Sequence, residues 1–112
     1  MAKGRGEAKV SREIQDFLKI MGCAVYSTEQ GYRHERGGTR QTPGIPDLIV
    51  FLPVDSELSF FFCEVKGPKG KLRSSQVLFQ LECERAGVEH LVAYDVRDVF
   101  DFLESKGVIT ST

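Results

Sequence analysis

Two apolar stretches joined by a short polar connection constrain this chain more than any other feature. Asp47-Leu48-Ile49-Val50-Phe51-Leu52 and Ser59-Phe60-Phe61-Phe62-Cys63-Glu64-Val65-Lys66 have the length and composition of strands. Pro53-Val54-Asp55-Ser56-Glu57-Leu58 between them suits a tight turn, so the spacing predicts an antiparallel hairpin over 47–52 and 59–66. In such a hairpin the 47 end lies beside the 64–66 end. Strand residues two apart share a face. Glu64 and Lys66 therefore point one way, Cys63 and Val65 the other, and Asp47 comes against Glu64. The run Phe60-Phe61-Phe62 must also send at least one ring to the opposite face, as core on both sides or as an interface.

An apolar strand that ends in a carboxylate and an ammonium is costly unless those charges have partners or work to do. Each residue has a plainer reading on its own. Pro46-Asp47 is a turn signal, and Glu64 with Lys66 is a same-face ion pair worth little. The joint arrangement changes the balance. Two carboxylates brought together repel unless a proton or a cation intervenes. They can bind a hard divalent cation through oxygen, and a lysine beside them can steer or deprotonate a water. These are the parts of metal-dependent phosphodiester hydrolysis.

The 112 residues suffice for one domain and not for two. Hydrophobic residues make up 41% and charged residues 28%, the balance of an ordinary soluble globular protein. No apolar run approaches membrane-spanning length, and Met1-Ala2-Lys3-Gly4-Arg5-Gly6 lacks the apolar core of a signal peptide. Cys23, Cys63 and Cys83 are odd in number and widely spaced. They support neither a disulfide framework nor a zinc site, and they fit a reducing cytoplasm. The net charge of −1 argues against a generic nucleic-acid coat protein. Basic residues nevertheless cluster at Lys3, Arg5, Lys9 and Arg12, at Arg33, His34, Arg36 and Arg40, and at Lys66, Lys69, Lys71 and Arg73. Acidic residues gather later, from Glu82 to Glu104. Any one cluster reads most simply as solvated surface; three around a carboxylate pair suggest a basic face.

Along the chain, residues 1–8 read as a mobile tail. A helix follows, with Val10, Ile14, Phe17, Leu18 and Met21 at helical spacing and Gly22 as its stop. Cys23–Thr28 reads as a strand, and 29–45 as a long basic loop of the kind that is functional or disordered. After the hairpin, Gly67-Pro68-Lys69-Gly70 breaks the chain. The second helix is expected near 75–86, capped by Ser74 or Ser75 and stopped by Gly87, with Val77, Leu78, Leu81, Phe79 and Cys83 as a wide apolar face. His90–Tyr94 reads as a strand. A last helix over 95–106 is expected, with Asp95 as cap, Val96, Val99, Phe100 and Leu103 as stripe and Gly107 as stop. The order is α-β-β-β-α-β plus a C-terminal helix, an α/β fold with a mixed sheet, and the helix between the last two strands permits a crossover connection. Glu13 and Gln76 read alone as a solvated helix residue and a helix-start polar residue. They matter only if the fold brings their helix ends over the strand pair.

Pro46-Asp47 and Glu64-Val65-Lys66 in this element order resemble the PD-(D/E)xK nuclease superfamily, with its restriction-endonuclease-like core. Within it, Gly44-Ile45-Pro46-Asp47-Leu48, Glu64-Val65-Lys66 and Ser75-Gln76 are similar to the VRR-NUC group, a compact nuclease module found alone in phages and bacteria and as a terminal domain of larger repair nucleases. The resemblance runs from about Val10 to Asp95. It implies that Asp47, Glu64 and the Val65 backbone carbonyl bind Mg²⁺, for which Mn²⁺ substitutes. Lys66 would orient and activate the attacking water. Glu13 would match the acidic residue of the first helix, completing the outer metal shell, and Gln76 the polar residue of the second helix near the lysine. No organic cofactor is implied, and the cytoplasm would be that of a bacterial host if the chain is phage-encoded.

The expected activity is that of a Mg²⁺-dependent structure-selective DNA endonuclease. Lys69, Lys71 and Arg73, with Arg33, Arg36 and Arg40 of the loop, would contact phosphates without reading sequence. No helix has the Arg, Asn and Gln content that reads base edges. Cutting both strands of a branched substrate takes two active sites, which a homodimer supplies. Free-standing members of the group imply such dimers acting on four-way (Holliday) junctions. The competing expectation is a non-catalytic nucleic-acid-binding module on the same fold.

Overall fold

The computed structural model describes residues 5–28 and 42–109. Three helices and four strands follow in the order α1 (Arg5–Ile20), β1 (Ala24–Ser27), β2 (Leu48–Phe51), β3 (Phe60–Val65), α2 (Ser74–Ala86), β4 (His90–Ala93) and α3 (Val96–Ser105). The sheet order is β1-β2-β3-β4. The expected hairpin forms: β2 and β3 pair antiparallel with Leu48 opposite Cys63 and Phe51 opposite Phe60. β1 joins β2 antiparallel, and β3 and β4 run parallel, connected through α2.

The alternation of each strand separates two faces. Leu48, Val50, Phe61, Cys63, Val65 and Ala93 are buried on one face and form a single core with Ile14 and Leu18 of α1 and Val99 and Leu103 of α3. Phe61 meets Phe102 there at 4.6 Å between ring centroids. Phe60, Phe62 and Glu64 take the other face, where α2 lies. Phe62 meets Phe79 at 5.1 Å, and Phe79 meets His90 at 6.0 Å. Phe61 is thus the ring of the triple-phenylalanine run that turns away from its neighbours. Among the described residues, no helix is long and apolar enough to cross a membrane.

Four expectations change. α1 begins at Arg5, inside the stretch expected to be a tail over 1–8. Its first turn is held by close backbone approach: a Cβ added to Gly6 would sit 3.0 Å from the Pro68 side chain, and one on Gly67 would sit 3.2 Å from the Glu7 nitrogen. The cap of α2 is Arg73 rather than Ser74 or Ser75, because Gln76 reaches back to accept the Arg73 N–H at 2.7 Å. The apolar residues Val77, Leu78 and Leu81 of α2 are exposed, while Gln76 and Cys83 are buried. On α3 the core takes Phe102, whereas Phe100 lies under the Arg97 guanidinium. Of the expected long loop, residues 29–41 lie outside the described residues. Two caps hold as read: Asp95 accepts from the Asp98 N–H at the start of α3, and Gly87 takes a left-handed conformation at the end of α2.

The turn Thr42-Pro43-Gly44 rests on the first turn of α2. Gly44 has φ +92°, and a Cβ there would meet the Ser75 carbonyl oxygen at 2.4 Å. Gly87 has φ +76° but nothing within 4 Å of a built Cβ. Gly87→Ala should therefore cost only conformational strain, about 1 kcal/mol or about 4–8 °C in Tm. Gly44→Ala should cost at least about twice that, since backbone must also move. Equal shifts in parallel thermal melts would show that the close approach to Ser75 does not hold the turn.

A candidate metal centre at the β2 and β3 strand ends

Asp47 sits one residue before β2, and its main chain is held from β1. The Thr28 N–H donates to the Asp47 carbonyl at 2.9 Å, and the Thr28 hydroxyl donates to the Pro46 carbonyl. Pro46 is fully buried, which anchors the peptide before Asp47. One step beyond the Leu48–Cys63 pair, the register sets Asp47 across from Glu64, where facing Cβ atoms stand about 4.5–5.5 Å apart. Asp47 Oδ2 accepts the Val65 N–H at 2.8 Å. A strand residue turns its N–H and its carbonyl to the same neighbour. The Val65 carbonyl therefore also faces the Asp47 side, as a third oxygen for the group.

Glu64 is 3% exposed and Lys66 is 7% exposed. Glu64 Oε2 accepts a hydrogen bond from Gln76 Nε2 at 2.8 Å and lies 3.7 Å from Lys66 Nζ. The other end of the Gln76 amide accepts the Arg73 N–H, so one buried side chain both starts α2 and orients the carboxylate. The turn after β3 closes with the Gly70 N–H donating to the Gly67 carbonyl. It folds Gly70 onto the Lys66 stem, where a Cβ would lie 3.2 Å from Lys66 Cδ. Behind the carboxylates, on the core face, the Cys63 thiol is pushed up by burial and then by the negative charges of Asp47, Glu64 and Asp98.

Of the residues expected to act, Asp47, Glu64, Val65, Lys66 and Gln76 come together. Glu13 does not join them. It is half-exposed and pairs with Lys9 at 3.8 Å, one turn away on α1. The acidic residue of α1 that reaches this end of β3 is Glu7, half-buried, with its Cβ 3.5 Å from where a Gly67 Cβ would lie. It shares a stripe with the buried Ser11, Ile14 and Leu18. The spacing of Glu7 to those residues was visible in the sequence, but a helix start placed after residue 8 concealed it. Lys69, Lys71 and Arg73 are exposed beyond the site. Arg33, Arg36 and Arg40 lie outside the described residues.

Two carboxylates and a carbonyl oxygen suit a small hard cation. Among the described residues, no group of three or more His, Cys, Asp or Glu side chains gathers to cage an ion. Asp47 and Glu64 would hold such an ion as Mg²⁺ is commonly held, through one or two carboxylates together with water and substrate phosphate.

Comparison with known proteins bears on the family and the fold. A model of the VRR-NUC domain matches residues 19–97, which include Asp47, Glu64, Lys66 and Gln76. A solved structure described as a VRR-NUC domain is 22% identical; the match covers 92% of this chain and 97% of that one, with a TM-score of 0.67. At that identity the likeness speaks for the fold, a restriction-endonuclease-like α+β core. No curated protein matches the sequence. With more than half its length matched by the family model, the chain belongs to the VRR-NUC domain family.

Proposed function

We propose that this nuclease-family domain is a Mg²⁺-dependent endonuclease that hydrolyses phosphodiester bonds of branched DNA, with four-way junctions among its substrates. The observation that carries the reading is the buried Glu64–Lys66 pair held by Gln76 beside Asp47. Burial strips water from both charges, and a structural pair alone returns little for that cost. A site that needs a fixed carboxylate and a fixed ammonium beside an anionic substrate has a use for it.

In this reading Asp47, Glu64 and the Val65 carbonyl hold the ion. When bound, the cation neutralises the scissile phosphate and lowers the pKa of a water. Gln76 holds Glu64 in one orientation. Lys66, on the same face, orients the attacking water and offsets charge that builds on the phosphoryl oxygens as the P–O bond breaks. Lys69, Lys71 and Arg73 take neighbouring phosphates. Glu7 replaces Glu13 as the acidic residue of the first helix, because of where α1 places it. Two copies of the chain cut the two strands of a junction. The exposed Val77, Leu78 and Leu81 of α2 favour such an association, since apolar residues clustered outside the core mark contact surfaces.

Labelled junction, flap and duplex DNA, incubated with Mg²⁺, Mn²⁺ or EDTA, test the reading. Asp47→Ala and Glu64→Ala should abolish cutting. They should also remove the stabilisation by Mn²⁺, about 2.7 kcal/mol at a hundred times its Kd. Lys66→Ala should keep that thermal shift and lose at least about a hundredfold in rate. Gln76→Ala should weaken metal affinity or activity by about 10–100-fold. A fully active Lys66→Ala would remove the lysine from the mechanism, and a fully active Asp47→Ala would sink the proposal.

The two acidic residues of α1 make a direct comparison. Glu7→Gln should lower Mg²⁺-dependent rate, while Glu13→Gln should leave it within about twofold of wild type, as for a surface ion pair. Equal losses would return Glu13 to the site.

Sedimentation equilibrium tests the association. A Leu78→Asp, Leu81→Asp double variant should be monomeric where wild type is dimeric, and it should cut one strand of a junction without cutting both. A dimer that survives the double variant uses another surface.

A further inference from the structure

Among the described residues, α2 covers only half of its side of the sheet. α2 lies over β3 and β4, where Phe79 closes on Phe62 and His90. Beyond it the same face carries Tyr26 of β1, Phe51 of β2 and Phe60 at the start of β3, by the register that pairs Ala24 with Phe51 and Phe51 with Phe60. Their rings form a row. Tyr26 meets Phe51 edge to face at 5.9 Å, Phe51 meets Phe60 at 6.1 Å, and Phe60 meets Phe62 at 5.7 Å. The row begins beneath α2 and emerges into solvent: Tyr26 is 58% exposed and Phe51 45%. The core needs neither ring, because Phe61 and Phe102 fill the opposite face.

The position of this surface indicates its occupant. Asp47, Ile49 and Phe51 alternate onto one face of β2 and its N-terminal extension. Tyr26 stands opposite Ile49, two residues from Asp47, or about 7 Å along the strand. A nucleic-acid strand whose phosphate lies at Asp47 and Glu64 therefore carries its neighbouring bases over Tyr26 and then towards Phe51. Paired bases in a duplex keep their faces stacked on one another and have none to offer. An unpaired base does, and aromatic side chains accept any base because every base has a π-face.

Resting on the nuclease reading, we propose that Tyr26 and Phe51 form a stacking platform for an unpaired base of the DNA strand held at the Asp47–Glu64 site. The platform selects strands with unstacked nucleotides beside the cut, such as junction centres, flaps and single-stranded ends. It does so without reading sequence. The edge-to-face contact with Phe51 sets the orientation of Tyr26.

Binding measured in EDTA, where no cutting occurs, separates this inference from the nuclease reading. The full chain, Tyr26→Leu, Tyr26→Phe and Phe51→Leu are titrated with single-stranded oligonucleotides carrying 2-aminopurine and with blunt duplex, after thermal melts confirm folding. Tyr26→Leu and Phe51→Leu should each weaken single-strand binding by about tenfold or more and lose the fluorescence quenching of a stacked 2-aminopurine. Duplex affinity should stay within about twofold, and Tyr26→Phe, which keeps the ring, should match wild type. Equal losses on duplex and single strand would overturn the platform, as would no loss at all or no single-strand binding by wild type. So would a change from dimer to monomer in Tyr26→Leu, because the occupant would then be a second copy of the chain. If wild type cuts no DNA with any metal while the base-stacking pattern persists, the nuclease reading fails and the platform stands. If wild type cuts and the variants bind as wild type does, the reverse holds.

Discussion

The pairing of Leu48 with Cys63 decides both faces of this small sheet at once. With that register, Val50, Phe61 and Val65 enter the core formed with α1 and α3, and Asp47 arrives beside Glu64 on the other side. A slip of one residue would send every apolar side chain to the wrong face and separate the carboxylates. The burial that stabilises the hairpin is therefore the same constraint that assembles the site. Neither can change without the other, so the same pairing that packs the core brings the two acidic groups together.

Gln76 links the site to the rest of the molecule. It is a buried polar side chain in a helix that exposes Val77, Leu78 and Leu81, an inversion that costs free energy unless both ends of its amide are satisfied. Both are: one end caps α2 through the Arg73 N–H, and the other holds Glu64. The first turn of α2 also bears on Gly44, so the turn before Asp47, the helix start and the Glu64 carboxylate are mechanically one unit. Displacement of α2 would loosen the orientation of Glu64 before it disturbed the core, which lies on the opposite face.

Electrostatics explains why the site sits where it does. Lys66 and Glu64 are nearly dry, and the turn 67–70 folds over the lysine stem. In such surroundings fixed charges act on a bound anion with little screening. The exposed Lys69, Lys71 and Arg73 beyond them are screened and suit diffuse phosphate contact. The aromatic row of β1 and β2 continues the same face away from the charges, so an anionic strand would meet a charged end and then an apolar one.

Strand period, helical stripes and cap residues made most of the fold legible from the amino-acid sequence: seven elements in order, the hairpin register, the Asp95 cap and the glycine stops. They also placed Asp47, Glu64, Val65 and Lys66 together, because period-two alternation and a short turn leave that hairpin little freedom. Gln76 was legible only through resemblance, since a polar residue at a helix start looks the same whether or not it is buried. The sequence determined what could be decided by local geometry. Tertiary packing decided the rest. The first turn of α1 rests on Pro68 and Gly67, contacts some sixty residues away that set Glu7 beside the turn after β3. α2 turns Val77, Leu78 and Leu81 outward because the sheet beneath it offers Gln76 a partner in Glu64, and periodicity cannot say which face of a helix meets a carboxylate.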